Sequence, residues 1–132
     1  MILESLFGLS LVLNVSLESP APAFSDHHTW LHMSVPQKEA ALTPLVQLAT
    51  RCIVGRVVSD PQFRPNLRRD QINDLVIDSI SACHHAVDAM IDAHDRMFGD
   101  GSGEAFLFGP YLDVLPAAVM QQAKTHARAN SR

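Results

Sequence analysis

Two cysteines and seven histidines carry most of the chemistry this chain can offer, and their spacing limits it. Cys52 and Cys83 lie 31 positions apart, which matches no zinc-binding or CxxC redox pattern. They can form one disulfide in an oxidising compartment, or remain two buried thiols packed as small hydrophobes in a reducing one. Each falls on the apolar face of its own predicted helix, so packing those helices antiparallel brings the pair together. Cys52 sits about 9 Å of helix from the intervening linker and Cys83 about 20 Å, so stagger or the linker has to absorb the difference.

The histidines divide into three groups. His27, His28 and His32 cluster in a polar stretch that also holds Asp26 and Trp30. They form a candidate surface site for Cu or Zn, to which His126 could contribute. An amino-terminal Cu(II) or Ni(II) site needs histidine third in the mature chain, whereas His27 would be fourth after cleavage before Phe24. His84 and His85 are adjacent on a helix and point about 100° apart, so they cannot share one ion without a second element. His94 differs from both groups, because it lies within an apolar stripe where a charged imidazole is costly and a neutral one needs a partner. It reads either as a core or helix-end histidine with its hydrogen bonds satisfied or as a functional group at a pocket, a ligand or an acid–base group. Cys83 is eleven residues away, about 16 Å along a helix, so the two cannot form a nucleophilic pair on one atom.

No GxSxG, HExxH or dinucleotide fingerprint is present. The run Gly99-Asp100-Gly101-Ser102-Gly103 ends a predicted helix, where a phosphate cradle would open one, and no Gly-Lys-Ser/Thr follows. An EF-hand fails as well, for want of oxygen ligands at alternating positions.

The elements that must position these groups are helical. Ser34 with Gln37 has the form of a capping box, and Pro36 suits a first turn. Together they predict a helix over about 36–58 that either kinks or restarts at Thr43-Pro44. The linker from Asp60 to Arg69 contains Pro61, Pro65 and Asn66 and reverses the chain. From about 70 to 98 the apolar set Ile72, Val76, Ile80, Cys83, Val87, Met90, His94 and Met97 recurs at steps of three and four. That period predicts one long amphipathic helix of about 43 Å. Its opposite face carries Asp74, Asp78, His85, Asp88 and Asp92, which reads as a solvated face or as a surface for a basic partner. The glycine run is expected to be flexible. A third helix over about 110–128 follows Pro110 and Pro116. The fold class is therefore all-α, a small antiparallel three-helix bundle with an irregular N-terminal arm.

Residues 1–23 read as a signal peptide: an apolar run from Ser5 to Leu17 precedes Ala21-Pro22-Ala23, a small-x-small cleavage pattern. The lack of Lys or Arg before the run and the presence of Glu4 count against that reading. Alternation of Leu9, Leu11, Leu13, Val15 and Leu17 with polar residues allows a strand or a buried N-terminal segment in its place. The run is too short for a stable membrane span. Residues 24–132 then make a single helical domain, and a formal charge of −4 argues against nucleic acid as a partner.

Taken together, these features lead to an exported, periplasmic or secreted, disulfide-stapled helical protein acting by binding a protein partner or by self-association, without catalysis. The alternatives are a Cu- or Zn-handling protein and a small cytosolic regulator or enzyme with a pocket at His94.

Overall fold

The computed structural model describes residues 30–131. The signal-peptide and strand readings, and His27 and His28, lie outside that range. A single turn of 3-10 helix at Trp30–His32 leads to Ser34, the cap of helix α1 (Val35–Val58). The Ser34 hydroxyl accepts from the Gln37 amide at 3.4 Å and the Gln37 side chain accepts from the Ser34 amide at 2.8 Å, so two orphan donors are satisfied reciprocally. α1 neither stops nor restarts at Pro44 but runs on through it. By length and composition it could cross a membrane. Here it forms the centre of the core, with Ala49, Ile53 and Val57 fully buried.

The single long helix predicted over 70–98 is two helices, α2 (Arg69–Ala82) and α3 (His84–Phe98). Cys83 separates them with φ −104° and ψ 18°, outside helical geometry. Its amide still donates to Ser79 and Ile80, and its carbonyl still accepts from Ala86 and Val87. The break is therefore one residue wide and leaves the apolar period in phase. Of the eight stripe residues, Ile72, Val76, Cys83, Val87, Met90 and Met97 are buried, while Ile80 and His94 are half-buried. At the break Cys83 is bonded to Cys52 of α1, with Cα atoms 5.9 Å apart. The linker between α1 and α2 absorbs the unequal distances to the two cysteines through successive turns at Asp60, Phe63 and Leu67.

The segment after α3 is more ordered than its composition predicts. Gly99 ends α3 and Gly101, at φ +83°, caps helix α4 (Ser102–Phe106). A Cβ at Gly103 would run into the Ile91 backbone carbonyl and lie 2.8 Å from the Ile91 Cα, so a hydrogen at that position is what lets α4 lie against α3. The Gly103 amide donates to Asp95 Oδ1 at 2.7 Å, so a carboxylate on α3 satisfies a first-turn amide of α4. A π-type turn (Leu107–Tyr111) distorted at Gly109 then leads to helix α5 (Leu112–Asn130), which carries Pro116 inside it.

The architecture is all-α, with no strand among the described residues. It consists of four helices of fourteen residues or more and the short α4, where three were expected, because the second predicted helix is broken at Cys83. α1 touches α2, α3 and α5, and α3 also packs against α4 and the Trp30–His32 turn. One buried cluster joins Ile53 and Val57 of α1 to Val76, Val87, Met90, Leu115 and Val119. A smaller one joins Leu42, Ala93 and Met97, with Trp30 packed on it.

Candidate functional site

At the C-terminal end of α3 the chain places an imidazole, a hydroxyl and a carboxylate within a few residues of one another. Their proton arrangement decides what they can do. Ser102 Oγ donates to the carbonyl oxygen of His94 at 3.2 Å and lies 2.8 Å from His94 Nδ1. A hydroxyl has one hydrogen, so with that hydrogen on the carbonyl the short contact has Nδ1–H as donor. In the arrangement that makes both contacts hydrogen bonds, the ring is the Nδ1–H tautomer with a lone pair on Nε2. This polarity is the reverse of what nucleophilic activation requires, in which imidazole accepts the proton of the hydroxyl. Asp95 does not orient the ring as a third member would, since its Oδ1 holds the Gly103 amide. The cluster is built as a set of helix-end hydrogen bonds that fix a ring.

Aromatic neighbours fix the ring further. His94 stacks on Phe106 with centroids 5.0 Å apart and meets Phe98 at 4.7 Å. Phe106 in turn stacks on the buried Tyr111 at 5.6 Å. Thr50 gives its hydrogen to Val46 O at 2.7 Å, so the Tyr111 hydroxyl donates to Thr50 Oγ1 at 2.9 Å and ties this aromatic row back to α1. Burial raises the Tyr111 pKa. Burial also lowers the His94 pKa below the ordinary histidine value, with Asp95 and the residue's own backbone pulling the other way.

These side chains form one wall of a groove of about 420 Å³. His94, Phe98 and Phe106 face Leu42 and Val46 of α1, while Glu39, Thr43 and Gln47 supply its polar edge. The Lys38 ammonium lies over the Phe98 ring, 5.5 Å from its centroid. Two other hollows, one beside Arg51, Val54 and Gln121 and one between Ile77, Phe108 and Arg69, contain no histidine. His94 is thus half-buried at a groove wall rather than enclosed in the core as its place in the stripe suggested.

The shifted histidine has a consequence for stability. With the folded pKa lowered, the unfolded chain takes up the proton first as pH falls below about 6.5. The contribution of neutral His94 is therefore fully present above that pH and declines as pH falls through the lowered folded value. Urea midpoints of the wild type should drop more between about pH 7.5 and pH 5 than those of His94→Asn. Equal drops would contradict the burial assigned to this ring.

The remaining candidates fare unevenly. Cys52 and Cys83 are brought together. Asp74, Asp78, His85, Asp88 and Asp92 are all exposed, but the break assigns the first two to α2 and the others to α3, so they do not follow one straight rod. Arg68 with Asp70, at 3.3 Å, is the ion pair among the described residues, and none of the five takes part in it. His84 and His85 have ring centroids 3.9 Å apart, and His84 Nδ1 is occupied by the Ser81 carbonyl at 3.1 Å. His32 is exposed in the first turn, and His126 pairs with Gln122 near the end of α5. Among the described residues no three His, Cys, Asp or Glu side chains gather as an ion site. Sequence reasoning missed Ser102, Phe106 and the α1 wall of the groove. Ser102 and Phe106, eight and twelve residues past His94, could have been sought once the glycine run was seen to turn the chain back. Comparison with protein-family models, curated proteins and solved structures finds no match to this chain.

Proposed function

We propose that this chain is a small exported binding protein that holds an apolar ligand in the groove between α1 and α3 without transforming it. The observation that carries the reading is the groove itself: aliphatic and aromatic walls with one imidazole held in orientation by Ser102, the usual composition of a small-molecule site. The absence of catalysis is supported by the direction of the Ser102–His94 hydrogen bond and by the engagement of Asp95 elsewhere. Export is supported by the Cys52–Cys83 bond, since structural disulfides persist in oxidising compartments, and by the small-x-small pattern at Ala21-Pro22-Ala23.

Filling the groove tests the binding reading. Thr43 is exposed and lines the groove, so Thr43→Trp can occupy the space from its rim. Calorimetry with a small aromatic ligand such as naphthol should show binding to the wild type and at least about a tenfold loss in the variant. Undiminished affinity in a folded Thr43→Trp protein would place the ligand elsewhere. Mass spectrometry of the protein from its native host tests export. Loss of residues 1–23 with both thiols oxidised is expected, and an intact Met1 with two free thiols would contradict it.

A further inference from the structure

Resting on the binding reading above, the geometry points to a ligand class: we infer that the groove takes neutral apolar molecules carrying one hydroxyl or N–H donor, such as phenols and aryl alcohols, and rejects carboxylates. The hydrogen on Ser102 decides which ring nitrogen can accept. Given to the His94 carbonyl, it makes both Ser102 contacts hydrogen bonds, with Nδ1 as the ring's donor and Nε2 as an acceptor, and we take the ring in that form. Among the described residues Nε2 has no hydrogen-bond partner, and none of those residues holds a fully buried side-chain nitrogen or oxygen without one, so within the described structure this atom is not enclosed. His94 lines the groove, which is the open space beside it. A ligand entering there displaces water from a lone pair and must replace that water's hydrogen with one of its own.

The surrounding charges favour the same choice. On α1, Glu39 lines the groove and presents a second acceptor of negative charge, while the Lys38 ammonium lies over the Phe98 ring. On α3, Asp95 acts on His94 through its charge, although one of its oxygens holds the Gly103 amide. From α4, Ser102 and Phe106 face the ring and are uncharged, and Glu104 is exposed. The Trp30–His32 turn, which packs on α3, brings the exposed His32. At the ring a ligand carboxylate would thus meet a lone pair where it needs a donor, with the charge of Glu39 on the same groove; the groove's donors, the Gln47 amide and the Lys38 ammonium, belong to α1. A phenol meets an acceptor and aromatic faces from Phe98 and Phe106. Sites built around a required hydrogen bond discriminate strongly, because the wrong partner leaves a buried polar group unmatched.

Protonation reverses the rule. When His94 is charged, Nε2 becomes a donor, and the preference for hydroxyl over carboxylate must shrink or invert. Burial of the ring places that change below the ordinary histidine range, so the preference holds at neutral pH.

The test pairs two probes of one shape, naphthol and naphthoate, measured by calorimetry on the full oxidised protein at about pH 7.5 and about pH 5. Naphthol should bind at least about tenfold tighter than naphthoate at the higher pH, and the ratio should fall several-fold at the lower. Ser102→Ala, which frees the tautomer, should narrow the preference at the higher pH. Should that variant fold poorly, a long-range nitrogen-15 spectrum of the wild type reads the tautomer without any substitution. A protonated Nδ1 with unprotonated Nε2 is expected, and the opposite tautomer would overturn the inference. Equal affinity for the two probes would also overturn it while leaving the groove as a binding site. Failure of both probes to bind would remove the ligand class and the binding reading together.

Discussion

Replacing both cysteines, Cys52→Ser with Cys83→Ser, should lower the stability of the oxidised protein by about 3 to 4 kcal/mol. The bridge closes a loop that comprises the end of α1, the linker and all of α2. An unfolded chain freed of that constraint gains the entropy of opening roughly thirty residues, which is the origin of the figure. A native-state contribution adds to it, because Cys83 is 3% exposed within the apolar core, where a serine hydroxyl would be buried without a hydrogen-bond partner. Urea unfolding of the double variant beside the oxidised wild type measures it, and a loss below about 1 kcal/mol would mean that packing alone holds α2 and α3 on α1. The bridge also fixes the N-terminal end of α3, whose far end carries His94, so the variant should lose ligand affinity along with stability.

A second large effect is expected at Gly103. Gly103→Ala places a methyl group against the backbone of Ile91, which cannot rotate away as a side chain would, and moving α4 outward strains the bond from the Gly103 amide to Asp95. A cost of about 2 to 3 kcal/mol follows, toward the upper part of the range for overpacking. Gly101, two residues earlier, provides the contrast. Nothing lies within 4 Å of a Cβ there, but φ is +83°, so Gly101→Ala is penalised by backbone strain alone, about 1 to 2 kcal/mol, and Gly101→Asn less. If Gly103→Ala were the milder of the two alanine variants in thermal unfolding, the close packing of α4 on α3 would be wrong.

The parts of the fold legible in the sequence are those set by local rules. The Ser34–Gln37 capping box is contained in four residues, and it fixed the start of α1 to within one position. The period from Ile72 to Met97 identified the buried face, because a one-residue deviation at Cys83 leaves the steps of three and four intact. That same property hid the break: no glycine or proline marks it, and the cysteine that occupies it is bonded to a residue 31 positions earlier. α4 was missed for a related reason. Its glycine-rich start reads as flexible in isolation, yet Gly101 supplies a left-handed cap and Gly103 a close helix contact. The amide of its first turn is held by Asp95, a residue of another helix that no local pattern reveals. His94 stood out as an imidazole on an apolar face, but the wall opposite it belongs to residues 39 to 47, about fifty positions away, and only the packing of α3 on α1 makes a groove of the two.

That groove is proposed as the site of a small apolar molecule oriented by His94. Crystals of the oxidised protein soaked in naphthol test it most directly. Density for the ring system is predicted between α1 and α3, against Phe98 and Phe106, with its hydroxyl about 2.7 to 3.1 Å from His94 Nε2. A groove that stays filled with water alone, or a naphthol seated only on another face of the protein, would contradict it.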